Sequence, residues 1–319
     1  MRKRAIITLA LGSQYYYRMA LALMISAHRF GKERYEYIIF TDKDKLPYYQ
    51  VPEWIKVVNL SNRYHQSDEA KSWLHESFRI KSKILADDLI KNYDTLFLDA
   101  DCYIFEDCFE SIFTLIEENS MAIYGDYLPK GELWGKIDFC NVAAKAGYKV
   151  NNMWLNSGFI GRAADETGHF FVRKYGDLMQ TYPYKPFIAS KFWQAADEPY
   201  LATAYQIAAE KKYGHLPASV SSPASDIYIT TYDAVLDTKE PLHPVVHSNY
   251  VKGSFQPSII HFLGGLQVSH YRGLINKTVS FNLEGKLLRP YFRANYTYKR
   301  LKYYYKRLTD STITEARDN

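Results

Sequence analysis

Cysteine is scarce in this sequence of 319 residues, which has three cysteines and no C-x-x-C pair. A small, odd number of thiols argues against a disulfide framework or a zinc ribbon and favours a reducing compartment. The chain also lacks an apolar run of the roughly 18 residues that a membrane-spanning helix needs. We therefore expect a cytoplasmic protein, and a charged content of 24% is typical of a soluble globular chain.

Net charge is also low, at +5, so no global field indicates a nucleic-acid partner. The first residues, Met-Arg-Lys-Arg before an apolar run, are compatible with a signal peptide. That run is short, and Gly-Ser-Gln-Tyr follows it instead of a small-residue cleavage site. We therefore interpret residues 5–11 as a first β-strand.

Strand and helix patterns alternate along the chain. Residues 5–11 and 35–40 are predicted strands, and between them the pattern predicts a helix over 15–30 that ends at Gly31. A strand–helix–strand unit of this spacing implies a parallel sheet. Further strands are predicted at 55–60, 96–98, 121–124, 159–160, 227–231 and 258–262. Further helices are predicted at 78–90, 108–118, 165–181 and 197–212. The pattern favours an α/β fold with a parallel sheet flanked by helices.

Two carboxylates follow a short apolar run in the middle of the chain. Asp99 and Asp101 come directly after Leu-Phe-Leu and are separated by Ala100. In extended chain, residues i and i+2 point to the same side, so both carboxylates are expected at the edge where open α/β sheets bind ligands. Two such oxygen ligands suit Mg²⁺ or Mn²⁺, which would neutralise a diphosphate. The alternative is a solvated acidic loop.

Three more motifs follow in order at 155–161 (Leu-Asn-Ser-Gly-Phe-Ile-Gly), 197–201 (Asp-Glu-Pro-Tyr-Leu) and 259–264 (Ile-Ile-His-Phe-Leu-Gly). With the Asp pair, they make residues 5–265 resemble glycosyltransferase family 8, the group that contains glycogenin and bacterial lipooligosaccharide galactosyltransferases. The resemblance implies a nucleotide-sugar-binding α/β fold of the GT-A type, with a mixed, mainly parallel sheet flanked by helices. It implies a UDP-sugar donor. It also implies Mn²⁺ (or Mg²⁺) and, usually, retention at the anomeric carbon. The expected activity is transfer of a hexose to a glycan or lipid-linked glycan.

The resemblance implies a role for each matching residue. Asp99, Asp101 and His261 would be the metal ligands, and an imidazole shifts the preference from Mg²⁺ towards Mn²⁺. Asp197 and Glu198 match the catalytic Asp-Gln pair that faces the reacting sugar carbon, with Glu198 where the family usually has glutamine. The residues expected to bind the nucleotide sugar are Thr8, Leu9, Leu11, Gly12, Tyr15, Lys83, Asp99, Ala100, Asp101, Asn156, Ser157, Gln194 and Gly264.

Taken singly, these residues are also compatible with ordinary structural roles: a core histidine (His261), an exposed helix lysine (Lys83), helix packing (Tyr15), a turn before a strand (Asn156, Ser157) and a charged helix N-terminus (Asp197, Glu198). The family usually continues its histidine motif with Lys-Pro-Trp, which grips the diphosphate, but Gln267 stands at the lysine position. This departure keeps a non-catalytic nucleotide-sugar-binding protein as an alternative. A sugar-nucleotide pyrophosphorylase is a second alternative, although the single glycine of residues 8–14 disfavours its Gly-rich loop.

We interpret residues 1–265 as one catalytic domain, with 1–125 as its nucleotide-binding half and 126–265 as its acceptor and sugar half. Within it, residues 126–153 are expected to form an insertion or lid.

Residues 266–319 form a C-terminal tail. From Arg289 to Leu308, basic and aromatic residues alternate. Tyrosine prefers the membrane interface and lysine and arginine prefer anionic headgroups, so we predict a peripheral contact with the inner face of the membrane. The alternative is an ordinary basic helix, and no nucleic-acid-binding motif accompanies the tail.

Overall fold

The structure is a computed structural model that describes residues 2–64, 77–132, 140, 143–144, 146–181, 197–231, 234–237, 244–248, 254–263, 265 and 269–315. Its strands are β1 (Lys3–Ala10), β2 (Glu36–Thr41), β3 (Ile55–Asn59), β4 (Tyr93–Leu98), β5 (Cys102–Ile104), β6 (Met121–Tyr127), β7 (Met153–Arg162), β8 (Tyr228–Thr230), β9 (Ala234–Asp237), β10 (Val245–Ser248), β11 (Ser254–Phe255) and β12 (Ile259–His261). Its α-helices are α1 (Gln14–Gly31), α2 (Ser77–Leu85), α3 (Phe109–Asn119), α4 (Glu166–Thr181), α5 (Glu198–Tyr213), α6 (Ser269–Thr278) and α7 (Leu283–Glu315).

A six-stranded sheet in the order β3-β2-β1-β4-β7-β6 forms the centre of the molecule. β1 pairs in parallel with β2 and β4, whereas β7 runs antiparallel to both β4 and β6. The predicted mixed, mainly parallel sheet is therefore confirmed. Because β7 is reversed, its N-terminal half lies at the edge where β4 ends, and this brings residues 156–158 beside the residues that follow β4.

Side chains on the two faces of this sheet belong to two hydrophobic clusters. Ile6 and Leu96 pack in the cluster that contains α1 and α3, and the next residues along each strand, Ile7 and Phe97, pack with α2, α4 and α5. Side chains alternate between the faces of a strand, so a run such as Leu-Phe-Leu fills both cores at once.

β6 and β7 extend into the stretch that the sequence predicted to be an insertion or lid. Asp126 pairs with Trp154, and Tyr127 with Met153, so both ends of residues 126–153 belong to the central sheet. The alternation of apolar and polar residues is weak there, which explains why the sequence did not predict these strand ends. Residues 133–139, 141–142 and 145 lie outside the described part of the chain.

Two small sheets complete the fold. β12 pairs antiparallel with β5 and parallel with β8, and this places His261 beside Cys102, just after the Asp pair. The other small sheet has the order β11-β10-β9.

The buried part of the chain continues past residue 265. Tyr271 and Ile275 of α6 are fully buried in the cluster that contains α1. The predicted tail therefore contributes α6 to the core and then continues as the 33-residue helix α7. Among the described helices, none combines the length and the apolar character needed to cross a bilayer.

Candidate functional site

Asp99 and Asp101 lie in a turn between β4 and β5. The Cys102 N–H donates to the Asp99 carbonyl at 3.0 Å, so residues 99–102 form a tight turn and not the extended chain that the sequence argument assumed. The two carboxylates still converge on one imidazole. His261 Nε2 lies 2.9 Å from Asp101 Oδ1 and 3.9 Å from Asp99 Oδ2. One donor atom from each residue lies within 4.8 Å of the other two.

His261 is buried and oriented by its second ring nitrogen. Nδ1 lies 3.1 Å from Asn156 Oδ1 and 2.9 Å from the Tyr228 hydroxyl. The same amide oxygen accepts from the Gly158 N–H at 3.0 Å. Because an amide oxygen only accepts, Nδ1 carries its proton towards Asn156 and the Nε2 lone pair faces the carboxylates. This is the tautomer that a metal-ligating histidine requires.

The charges around His261 and Asp99 show that this position suits a cation. Burial lowers the pKa of His261, but the carboxylates of Asp101 and Asp99 outweigh burial, and the net shift is upwards. Burial raises the pKa of Asp99, and the repulsion from Asp101 adds to that increase. Two carboxylates and one imidazole also fit the donor preference of Mn²⁺.

Gly158 is the residue that makes room for this imidazole. A Cβ at Gly158 would lie 2.5 Å from His261 Cε1 and 2.6 Å from Nδ1. On the hypothesis that His261 is a metal ligand, we expect Gly158→Ala to displace the ring and to weaken Mn²⁺ binding at least about tenfold, in the range seen when the support of a metal ligand is lost. A Cβ at Gly176 in α4 would meet only Ser82 Oγ, at 3.8 Å, so Gly176→Ala is the matched control. Metal titration of both variants checks this prediction, and equal affinities would contradict it.

Lys81 links the turn that carries Asp99 and Asp101 to the start of α5. Its buried ammonium lies 3.2 Å from Asp99 Oδ1 and 3.2 Å from Asp197 Oδ2. It also donates to the carbonyl and to the hydroxyl of Ser157, at 3.1 and 3.0 Å. The contacts with both acids raise the pKa of Lys81 despite complete burial. Lys81 is therefore a charged group that joins β4, β7 and α5.

The sequence predicted Lys83 for this position, and the structure differs. The two residues are two positions apart on α2, which is about 200° of rotation, so their side chains leave the helix on opposite sides. Lys83 lies over the Tyr64 ring, with its ammonium 5.9 Å from the ring centroid, outside the cluster around Asp99.

The predicted catalytic pair has two different environments. Asp197 is fully buried, and it accepts hydrogen bonds from Ser157 Oγ at 2.8 Å and from the Tyr175 hydroxyl at 3.0 Å in addition to its contact with Lys81. Donors thus occupy both of its oxygens, which fits a residue that positions its neighbours. Glu198, the first residue of α5, is half-buried. Burial and the neighbouring Asp197 raise the pKa of Glu198 to about 8.

The segment predicted to hold the nucleotide begins at the end of β1. Thr8 is buried, and its hydroxyl donates to the Leu98 carbonyl at 2.7 Å, which ties β1 to the start of the Asp turn. The N–H of Gly12, where φ is +74°, donates to Asp42 Oδ1 at 3.1 Å. Leu9 and Tyr15 are half-buried, and Leu11 is buried.

Other predicted residues have mixed outcomes. Ala100 is buried in the turn between the two aspartates, and Asn156 and Ser157 lie in the cluster as described above. Gln194, Gly264 and Gln267 lie outside the described residues. Tyr16, which the sequence did not single out, is half-buried, and burial followed by the negative charges of Asp101 and Asp99 raises its pKa. The three consecutive tyrosines at 15–17 give no sequence signal that distinguishes Tyr16 from its neighbours.

No protein-family model matches this sequence, and no curated protein matches it. Solved structures do match the fold. A variant of LgtC with an active-site glutamine replaced by glutamate is 11% identical, with a TM-score of 0.51, and the match covers 88% of this chain and 99% of that chain. The galactosyltransferase LgtC in complex with donor and acceptor sugar analogues is 10% identical over 88% of this chain and 99% of that one, with a TM-score of 0.49.

The bifunctional glycosyltransferase WbbM in its apo form is 13% identical, and the match covers 87% of this chain and 50% of that chain, with a TM-score of 0.48. The similarity to the LgtC variant confirms the predicted fold class: the chain has a GT-A type α/β fold.

Proposed function

We propose that this protein is a metal-dependent glycosyltransferase that moves a hexose from a UDP-sugar to a glycan or lipid-linked glycan acceptor, with retention at the anomeric carbon. The observation that carries the proposal is the convergence of Asp99, Asp101 and His261 within 4.8 Å at the ligand-binding edge of a GT-A fold. That constellation lies next to Lys81 and the start of α5, where a sugar linked to the diphosphate would be held.

Asp99, Asp101 and His261 would hold Mn²⁺ (or Mg²⁺). A bound ion would supply positive charge that neutralises the diphosphate and makes UDP a better leaving group. Asn156 and Tyr228 keep the His261 ring in the orientation that this role needs. The Lys81 ammonium limits the repulsion between Asp99 and the acids at the start of α5.

On the sugar side, we propose that Glu198 faces the anomeric carbon. Asp197 positions it, because Lys81, Ser157 and Tyr175 fix Asp197 and with it the first turn of α5. A carboxylate beside the anomeric carbon stabilises the positive charge that develops there, or attacks it, as in retaining glycosidases. We assign the catalytic role to Glu198 and a positioning role to Asp197.

The raised pKa of Glu198 predicts a pH dependence with a definite sign. The group is protonated below about pH 8 and ionised above it, and the ionised form is the one that stabilises a positive anomeric carbon. The transfer rate is therefore expected to rise about tenfold per pH unit up to pH 8 and then to level off. In Glu198→Gln this rise should be absent. Identical pH profiles for the two proteins would contradict the assignment, and a full transfer rate in Glu198→Gln would exclude a nucleophilic role.

Release of UDP from UDP-sugars in the presence of Mn²⁺, without acceptor, tests the enzymatic proposal. A panel of UDP-sugars is first ranked by thermal shift with Mn²⁺, since ligands that bind the native state raise its melting temperature. The best donor is then expected to be hydrolysed slowly. Binding without UDP release would indicate a nucleotide-sugar-binding protein, and formation of UTP from UDP-sugar and pyrophosphate would indicate a pyrophosphorylase.

We also propose that α7 contacts the anionic inner face of the membrane, which would bring the site to a lipid-linked acceptor. No acidic residue lies between Glu284 and Asp310, and that stretch contains eight basic residues: Lys286, Arg289, Arg293, Lys299, Arg300, Lys302, Lys306 and Arg307. Six large apolar residues of the helix are 63–76% exposed: Leu283, Leu287, Tyr291, Tyr298, Leu301 and Tyr305. Spacings of three, four and seven residues place these six on a single stripe. A basic helix with an exposed apolar stripe fits an anionic bilayer surface.

Flotation with liposomes tests this contact. The full chain is expected to float with vesicles that contain anionic lipid, less so with neutral vesicles, and less at high salt because the attraction is screened. A chain that ends at Lys286 lacks the exposed stripe beyond that point and should remain in the soluble fraction. Equal flotation of the two proteins would rule out the membrane contact.

A further inference from the structure

We infer that Tyr271 is a positioning residue for the metal-ligand turn: its hydroxyl holds the Ala100 carbonyl and thereby fixes the Asp99 and Asp101 carboxylates relative to His261. The inference deepens the proposed function and rests on it, because it concerns the same metal site.

Three different elements hold the backbone of this turn. The Asp99 N–H donates to the Gly158 carbonyl of β7 at 3.0 Å, and the Asp101 carbonyl accepts from the Phe262 N–H at 2.9 Å. The Ala100 carbonyl accepts from the Tyr271 hydroxyl of α6 at 3.1 Å. The first two bonds join backbone to backbone, so a side-chain substitution leaves their atoms in place. Of the three bonds, the bond to Ala100 has a side-chain hydroxyl as its donor, so a substitution that removes this hydroxyl breaks it.

The Ala100 carbonyl belongs to the peptide group that joins Ala100 to Asp101. A peptide group is planar and moves as a unit, so a rotation of the Ala100 carbonyl also rotates the amide nitrogen of Asp101 and changes the direction of its side chain. Fixing this oxygen therefore fixes where the Asp101 carboxylate points. This matters because Asp101 makes the shorter contact with His261 Nε2.

Tyr271 also contacts the other half of the ligand set. Its ring is fully buried and stacks on the ring of Phe262, with centroids 4.6 Å apart and an interplanar angle of 16°. Phe262 directly follows His261, and its N–H bonds the Asp101 carbonyl. One side chain from α6 thus touches both the turn that carries the aspartates and the segment that carries the histidine. This double contact distinguishes Tyr271 from a tyrosine that only fills the core.

Tyr103 provides a matched control. It is 3% exposed, and its hydroxyl also reaches α6, where it bonds Thr278 Oγ1 at 2.9 Å. The Tyr103 hydroxyl also accepts from Arg29 Nη1 at 3.2 Å. Tyr103→Phe and Tyr271→Phe each remove one tyrosine hydroxyl that joins α6 to the region after β4. We expect a decrease in melting temperature at least as large for Tyr103→Phe as for Tyr271→Phe, since Tyr103→Phe loses the bonds to Thr278 and Arg29 and Tyr271→Phe loses the bond to Ala100.

Mn²⁺ affinity separates a positioning role from a purely structural one. The full chain is titrated with Mn²⁺, and free Mn²⁺ is followed by electron paramagnetic resonance in the absence of donor. The Kd of Tyr271→Phe is expected to rise about three- to tenfold over the wild type, the effect of one net hydrogen bond, while the Kd of Tyr103→Phe stays within about twofold.

Each other outcome overturns the inference. An unchanged Kd in Tyr271→Phe would mean that the hydroxyl does not position the turn, and the proposed function would stand. Equal increases in both variants would assign the effect to general destabilisation of α6. A wild-type chain that bound no Mn²⁺ would contradict the inference together with the metal-dependent function on which it rests.

Discussion

Replacing Asp101 by asparagine is expected to lower Mn²⁺-dependent UDP release at least about 100-fold while the protein remains folded. The change removes one ligand and one negative charge at the group closest to His261 Nε2. Loss of a group that supports a metal ligand lowers metal affinity or activity about 10- to 100-fold. Loss of the ligand itself is therefore expected to lower the rate by at least about 100-fold. Initial rates of UDP release, measured across a range of Mn²⁺ concentrations, provide the test.

Asp88→Asn is the control for this prediction, because Asp88 is an exposed carboxylate on the surface turn before β4. Its rate should equal that of the wild type. If Asp101→Asn retained the wild-type dependence on Mn²⁺, Asp101 would not be a ligand.

The largest effect on stability is expected from Lys81→Met. The substitution removes the cation that lies 3.2 Å from each of two acids, Asp99 and the fully buried Asp197. Breaking a buried ion pair from one side costs about 3–5 kcal/mol, because it leaves an uncompensated charge in the interior. We therefore expect a decrease of that size in the free energy of unfolding, measured by urea denaturation, together with loss of activity.

Lys83→Met on the same helix is the matched control. Lys83 is half-buried, and its contact with the Tyr64 ring is worth about 0.5–1 kcal/mol, so we expect a decrease of about 1 kcal/mol or less. The double variant Lys81→Met with Asp197→Asn should recover part of the lost stability, since it removes one of the unpaired charges. Equal unfolding free energies for Lys81→Met and Lys83→Met would show that the buried cluster does not depend on this ammonium.

The sequence predicted the elements of the fold well, because their signals are local. The strand–helix–strand unit at the N-terminus, the strand before Asp99 and the helix after Asp197 all follow from apolar periodicity and end signals. The antiparallel direction of β7 was not predictable in this way, since periodicity describes which residues are buried and not which way a strand runs. That reversal decides the site, because it brings Asn156, Ser157 and Gly158 to the ligand edge.

For the site itself, the sequence predicted the acids, the histidine, Asn156 and Ser157 but not the other groups that support them. The sequence argument assumed that extended chain brings the Asp99 and Asp101 carboxylates together. In the structure, a turn closed by the hydrogen bond from the Cys102 N–H brings them together. Lys81 was missed because the position of a lysine in the sequence does not show which side of the helix faces the site. Lys83 lies over the Tyr64 ring instead. Tyr228 and Tyr271 reach the site from sequence positions far from their partners, so no local signal distinguishes them among 29 tyrosines.

The metal and nucleotide assignments stay proposals, and one crystallographic measurement tests them together. Crystals grown with Mn²⁺ and UDP, and measured at the manganese absorption edge, should show one strong anomalous peak bounded by Asp99, Asp101 and His261, with the diphosphate against it. A diphosphate bound elsewhere, or an anomalous map with no peak among those three side chains, would contradict the account.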